Sequence, residues 1–107
     1  MLTKSVKHAL DDLLSQIIEV ARPIRIVLFG SSVRGERQPG SDLDLLVVVP
    51  DGVPCRQLAR RLYQEIHGII IPYDLVVVNV SLLEQHAKTQ GLIYQYALAE
   101  GEELYAA

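Results

Sequence analysis

The chain has 107 residues, half of them hydrophobic, with 10 Lys and Arg against 13 Asp and Glu and a formal net charge of −3. That apolar content suffices for one core and excludes a disordered chain, while the acidic balance offers no basic field for stable nucleic-acid binding. A single cysteine, Cys55, excludes an internal disulfide and fits a reducing, cytoplasmic setting. The charged N-terminus does not read as a signal peptide, and no apolar run approaches the ~18 residues of a membrane span.

Val6, Leu10, Leu13, Leu14, Ile17, Ile18 and Ala21 recur at helical spacing and predict an amphipathic helix over residues 3–21, ended by Pro23. Residues 24–29, rich in Ile and Val, read as a first strand. Residues 30–41 hold three Gly and one Pro and read mostly as loop, with room for a helical turn after Gly30-Ser31. Leu43–Val49 is a second strand, followed by a turn at Pro50-Asp51-Gly52. Pro54 suits the first position of a second helix running to His67, with Gly68 closing it. Its apolar side is Leu58, Ala59, Leu62 and Ile66.

Residues 69–71 are ambiguous between strand and loop. Tyr73–Asn79 is a third strand. Ser81 is expected to cap a third helix over residues 82–88. Gly91 interrupts, residues 92–100 form a fourth helix, and Leu104-Tyr105 a short edge strand. Strands apolar on both faces require helices on both faces. The expected architecture is therefore α/β: a small mixed sheet of three to four strands flanked by helices, in a single domain over residues 1–107. The short connection between the first two strands leaves their relative direction open.

The chemistry concentrates in Gly30-Ser31 and Asp42-Leu43-Asp44. Strand alternation sends Asp42 and Asp44 to one face, about 6.5–7 Å apart at Cα. Two carboxylates that close repel unless a cation joins them, and a hard ion such as Mg²⁺ takes oxygen ligands and substrate phosphates. The plainer alternative is that each aspartate bonds turn N–H groups at a loop-to-strand junction. Gly30-Ser31 ends a strand and lets a phosphate approach the backbone, although no Gly-Lys-Ser/Thr follows as in a P-loop. An anion cradle beside a metal clamp is what a Mg-nucleotide needs. Asp74, the one acid in the third strand, is the candidate third carboxylate of a two-metal phosphoryl-transfer site. After Pro72 it also reads as an ordinary strand-edge residue.

Gly30-Ser31, ten residues, then Asp42-x-Asp44 resembles the signature of the nucleotidyltransferase superfamily related to DNA polymerase β. The stretch "LFGSSVRGERQPGSDLDLLV" is similar to its minimal nucleotidyltransferases, clearly over residues 24–49 and more weakly as far as Asp74. The resemblance implies that Gly30 and Ser31 contact the β/γ phosphates of ATP. It implies that Asp42, Asp44 and Asp74 hold Mg²⁺, and that Asp74 helps to deprotonate the acceptor. Arg34 matches the Arg of G-S-x-x-R-G, pairing a carboxylate or holding the loop. Ser32-Val33 departs from the Arg-Ala of many relatives, which bears on triphosphate affinity or acceptor choice. Minimal nucleotidyltransferases are often paired with HEPN proteins, the RNase toxins of toxin–antitoxin systems. The resemblance thus implies an antitoxin that transfers AMP to a tyrosine of a HEPN partner, in a hetero-oligomer. The alternative is a non-catalytic antitoxin that neutralises its toxin by occlusion.

The remaining side chains carry less. His8, His67 and His86 are far apart and read as surface or helix-end residues rather than ligands. Arg56, Arg60 and Arg61 read as a solvated helix face. Tyr94, Tyr96 and Leu98 read as core, with a partner surface as the alternative. Cys55 stands near a helix start, where a thiol pKa can fall, but no companion His makes it a nucleophile. Five tyrosines are possible self-modification acceptors, and the sequence does not rank them.

Overall fold

The computed structural model describes residues 3–34, 41–86 and 93–107. In chain order these form α1 (Lys4–Ala21), β1 (Arg25–Phe29), α2 (Ser31–Arg34), β2 (Leu43–Val49), α3 (Cys55–Glu65), β3 (Tyr73–Asn79), α4 (Val80–His86), α5 (Ile93–Glu100) and β4 (Glu102–Ala106). Thr3 caps α1, its hydroxyl accepting the Val6 N–H at 3.2 Å. Arg22, left-handed at φ 47°, closes the helix by donating its N–H to Ile18 O at 3.0 Å. The chain has thus left the helix before Pro23.

Two expected boundaries move. α3 begins after Pro54, which is its N-cap, and ends at Glu65 rather than His67. The cause lies on α1: Gln16 takes the His67 N–H at 3.0 Å and gives its own amide to His67 O at 2.9 Å. Those contacts pull the backbone out of helical geometry, and Ile66 turns extended and buried. α4 is capped by Asn79, not Ser81: Asn79 Oδ1 accepts the Leu82 N–H at 2.8 Å. Ser81 lies inside the helix, and its N–H (2.9 Å) and hydroxyl both donate to the Asp51 carboxylate. Residues 87, 88 and 92 of the expected third and fourth helices fall outside the described residues, as do the Tyr94 and Tyr96 side chains.

The sheet order is β3-β2-β1-β4. β1 runs antiparallel to β2 and β4, which settles the open direction, and β2 runs parallel to β3. The sheet is therefore mixed, with α3 carrying the crossover from β2 to β3. Alternation divides the core between two faces. Leu43, Leu45, Val47 and Val49 pack with Leu10, Leu13 and Ile17 of α1 and Leu58 and Leu62 of α3. Leu46, Val48, Val27, Phe29 and Val78 pack on the opposite face with Leu83 of α4 and Ala97 of α5. Each Val, Leu, Ile or Phe side chain fully buried there contributes about 1.5–3 kcal/mol of transfer free energy. With both faces covered, the polar end of the sheet is left where β1 stops and β2 and β3 begin. Among the described residues, no helix is long and apolar enough to cross a membrane.

Candidate active site

β1 delivers the chain to Gly30, which has φ +82°. Only glycine takes that conformation without strain. The neighbour makes the requirement stricter. A Cβ at Gly30 would overlap Asp44 Oδ2 and stand 3.2 Å from Asp44 Cγ. The space of the missing methyl is the space of the carboxylate. Gly30 O then accepts the Val33 N–H at 3.2 Å, turning the chain into α2, which Ser31 opens. Ser32 behind it is 7% exposed, and its hydroxyl is buried with no hydrogen-bond partner among the described residues. The Arg34 side chain lies outside the described residues.

Asp44 is the second residue of β2 and half-buried; Asp74 is the second residue of β3 and exposed. The parallel register sets them directly opposite each other. Neighbouring strands lie about 4.8 Å apart, so both carboxylates leave the same end of the same sheet face. Asp42 is exposed in the connection just ahead of β2. The fold thus brings Gly30, Asp44 and Asp74 together, with Ser31 and Asp42 in the flanking segments.

Sequence reasoning missed Tyr63. It stands on α3 and reaches the outer edge of β3, where its hydroxyl accepts the Leu75 N–H at 2.8 Å and donates to Asp74 Oδ1 at 3.0 Å. Its ring stacks on Tyr73, with centroids 5.8 Å apart and planes 7° from parallel. Burial pushes the phenol pKa up, the Leu75 N–H opposes this, and the Asp74 contact adds to the rise. At neutral pH the hydroxyl keeps its proton. The available signal was an aromatic residue among Arg60, Arg61 and Gln64 on the polar side of an amphipathic helix.

Among the described residues, no three His, Cys, Asp or Glu side chains converge into a ready-made metal cage. The donor chemistry still fits a hard divalent cation. Two carboxylates share a register, and a glycine leaves room for one of them to pack against the backbone. Arg56, Arg60 and Arg61 are exposed, and Arg61 pairs with Glu65 one turn away. Burial pushes the Cys55 thiol pKa up, the reverse of an activated nucleophile.

A glycine-backed carboxylate in register with a second, at one end of a mixed sheet, belongs to a recognisable class. A family model described as a nucleotidyltransferase domain matches residues 9–98, and the chain belongs to that family. Solved structures share the fold. A putative nucleotidyltransferase from Sulfolobus solfataricus is similar over 99% of this chain and 90% of its own, at TM-score 0.60 and 16% identity. A toxin–antitoxin crystallised with AMP-PNP is similar over 91% of this chain and 73% of its own, at TM-score 0.59 and 21% identity. A mutant of the MntA–HpeT toxin–antitoxin, with two aspartates one residue apart changed to glutamate, covers 91% and 72% at TM-score 0.58 and 19% identity. A search of curated protein sequences finds no match.

Proposed function

We propose that residues 1–107 act as one Mg²⁺-dependent nucleotidyltransferase domain that transfers AMP from ATP to a tyrosine hydroxyl of a HEPN-type toxin, and so serve as its antitoxin. The observation that carries the chemistry is the register of Asp44 with Asp74, with Gly30 backing the Asp44 carboxylate. The family membership supports nucleotidyl transfer. The toxin–antitoxin neighbours, one with an adenine-nucleotide analogue and one altered at an Asp-x-Asp pair, support ATP, a toxin partner and a role for Asp42 and Asp44. The resemblance of the Gly30–Asp44 signature to minimal nucleotidyltransferases supports the HEPN partner. A reaction that consumes ATP, together with the lone cysteine, supports a cytoplasmic setting.

Asp42, Asp44 and Asp74 would hold the metal. Mg²⁺ commonly completes its shell with water and substrate phosphates, so three protein ligands need not converge beforehand. When bound, it neutralises the triphosphate and lowers the pKa of the acceptor hydroxyl. Gly30 and Ser31 receive the β/γ phosphates against the backbone; the resemblance gives Arg34 the part of pairing a carboxylate or holding the loop. Asp74 takes the acceptor's proton as the oxygen attacks the α-phosphorus. The new P–O bond forms as the bond to the bridging oxygen breaks, and pyrophosphate leaves.

The test incubates the chain with Mg²⁺, α-labelled ATP and a HEPN toxin encoded beside it. Label should reach a toxin tyrosine and vanish with Asp42→Asn plus Asp44→Asn. Label that survives the double substitution removes these aspartates from the mechanism. A double variant that labels nothing yet still neutralises the toxin in cells establishes occlusion instead.

A further inference from the structure

We propose that Tyr63 is a positioning residue for this reaction, fixing the Asp74 carboxylate in the orientation that receives metal and acceptor; the proposal rests on the nucleotidyltransferase reading above. A phenol has one proton to give and two lone pairs. The Leu75 N–H donates into the Tyr63 oxygen at 2.8 Å, so the proton of that oxygen is directed to Asp74 Oδ1, 3.0 Å away. The backbone therefore decides the polarity of the contact. A single oxygen grips Asp74 on both sides of its Cα, through its carboxylate and through the next peptide. The side chain cannot turn about χ1 without giving up that bond.

The phenol is itself held. Its residue follows Leu62, which is fully buried, and its ring lies flat on Tyr73, the residue before Asp74. Three consecutive residues of β3 thus contact one tyrosine. An exposed aspartate on an edge strand would otherwise populate several rotamers, and ordering it at each turnover costs free energy. With Oδ1 engaged, Oδ2 would be the oxygen left to face a cation. Outer-shell partners of this kind orient ligands, and their loss commonly weakens metal binding or activity about 10–100-fold.

The experiment uses the whole chain, Mn²⁺ as the probe ion and a non-hydrolysable ATP analogue. Tyr63→Phe keeps the ring and removes the hydroxyl; Tyr73→Phe removes the neighbouring hydroxyl and leaves the Asp74 contact alone. Calorimetry should show Mn²⁺ affinity falling about tenfold or more in Tyr63→Phe and unchanged in Tyr73→Phe. Transfer assays should show kcat falling while KM for ATP stays within about twofold, since the triphosphate contacts are elsewhere. In an Asp74→Asn background, Tyr63→Phe should weaken Mn²⁺ binding no further. Wild-type metal affinity and kcat in Tyr63→Phe would overturn the proposal alone. So would an equal loss in both backgrounds, which marks a merely structural role. Wild-type protein that binds no Mn²⁺ with nucleotide would overturn the nucleotidyltransferase reading and this proposal with it.

Discussion

Gly30→Ala separates a cost in stability from a cost in chemistry. At φ +82° an alanine pays roughly 1–2 kcal/mol for the left-handed backbone. Gly52 offers a matched control: its φ is +93° and nothing lies within 4 Å of the Cβ position. Gly52→Ala therefore suffers the conformational cost alone. The methyl at Gly30 additionally collides with the Asp44 carboxylate. What yields is the end of a side chain rather than backbone, so the extra loss of stability is small. For a domain near 100 residues, 1 kcal/mol moves Tm by about 4–8 °C, and both variants should melt several degrees low by similar amounts. Function should divide them. Gly52→Ala retains nucleotide-dependent Mn²⁺ binding and label transfer. Gly30→Ala, with a ligand carboxylate displaced, loses about 10–100-fold in both. Calorimetry, thermal melts and labelled-ATP transfer on the same samples decide the matter. A Gly30→Ala protein that melts like Gly52→Ala and binds and transfers like wild type would refute the argument that the Gly30–Asp44 contact sets the site.

Asp51 predicts a pH dependence: hydrogen bonds from the Ser81 hydroxyl and backbone N–H hold its pKa below the ordinary carboxylate value. A depressed folded pKa stabilises fully above the unfolded value of about 3.9 and is lost as pH falls through the folded one. Asp51→Ala should melt below wild type at pH 7, with the gap narrowing as pH falls below the ordinary carboxylate value; a gap constant through that fall would mean the ionised carboxyl contributes nothing. Asn79→Ala, which removes the α4 cap, should cost about 1 kcal/mol in denaturant unfolding, while Ser81→Ala leaves that cap intact.

The β-branched runs Leu43–Val49 and Tyr73–Asn79, bounded by turn residues, were legible to the residue, and so was the spacing from Gly30-Ser31 to Asp42 and Asp44. These are local signals. What escaped depends on contacts far apart in the chain. Gln16 ends α3 from 51 residues away. Asn79 wins the α4 cap because Asp51, on another turn, claims Ser81. Tyr63 meets Asp74 only once α3 has folded over the sheet edge. The pairing of Asp44 with Asp74 needed strand direction, and no composition rule supplies that.

Over Leu45–Val49 and Leu75–Val78 the two strands are apolar on both faces, so along that length sliding one past the other exchanges Leu and Val for Leu and Val at little cost in burial. Alternation alone does not lock them. The frame is set at the ends, where the Leu43 N–H meets Pro72 O at 2.9 Å and Tyr63 holds the Leu75 N–H. Residues 66–72 therefore work as a ruler. One residue added there and carried into the strand would send Asp74 to the opposite face and set a neighbour against Asp44. Ile70 in this segment is 86% exposed, so what its surroundings constrain is not which side chain stands there but how many residues the segment counts.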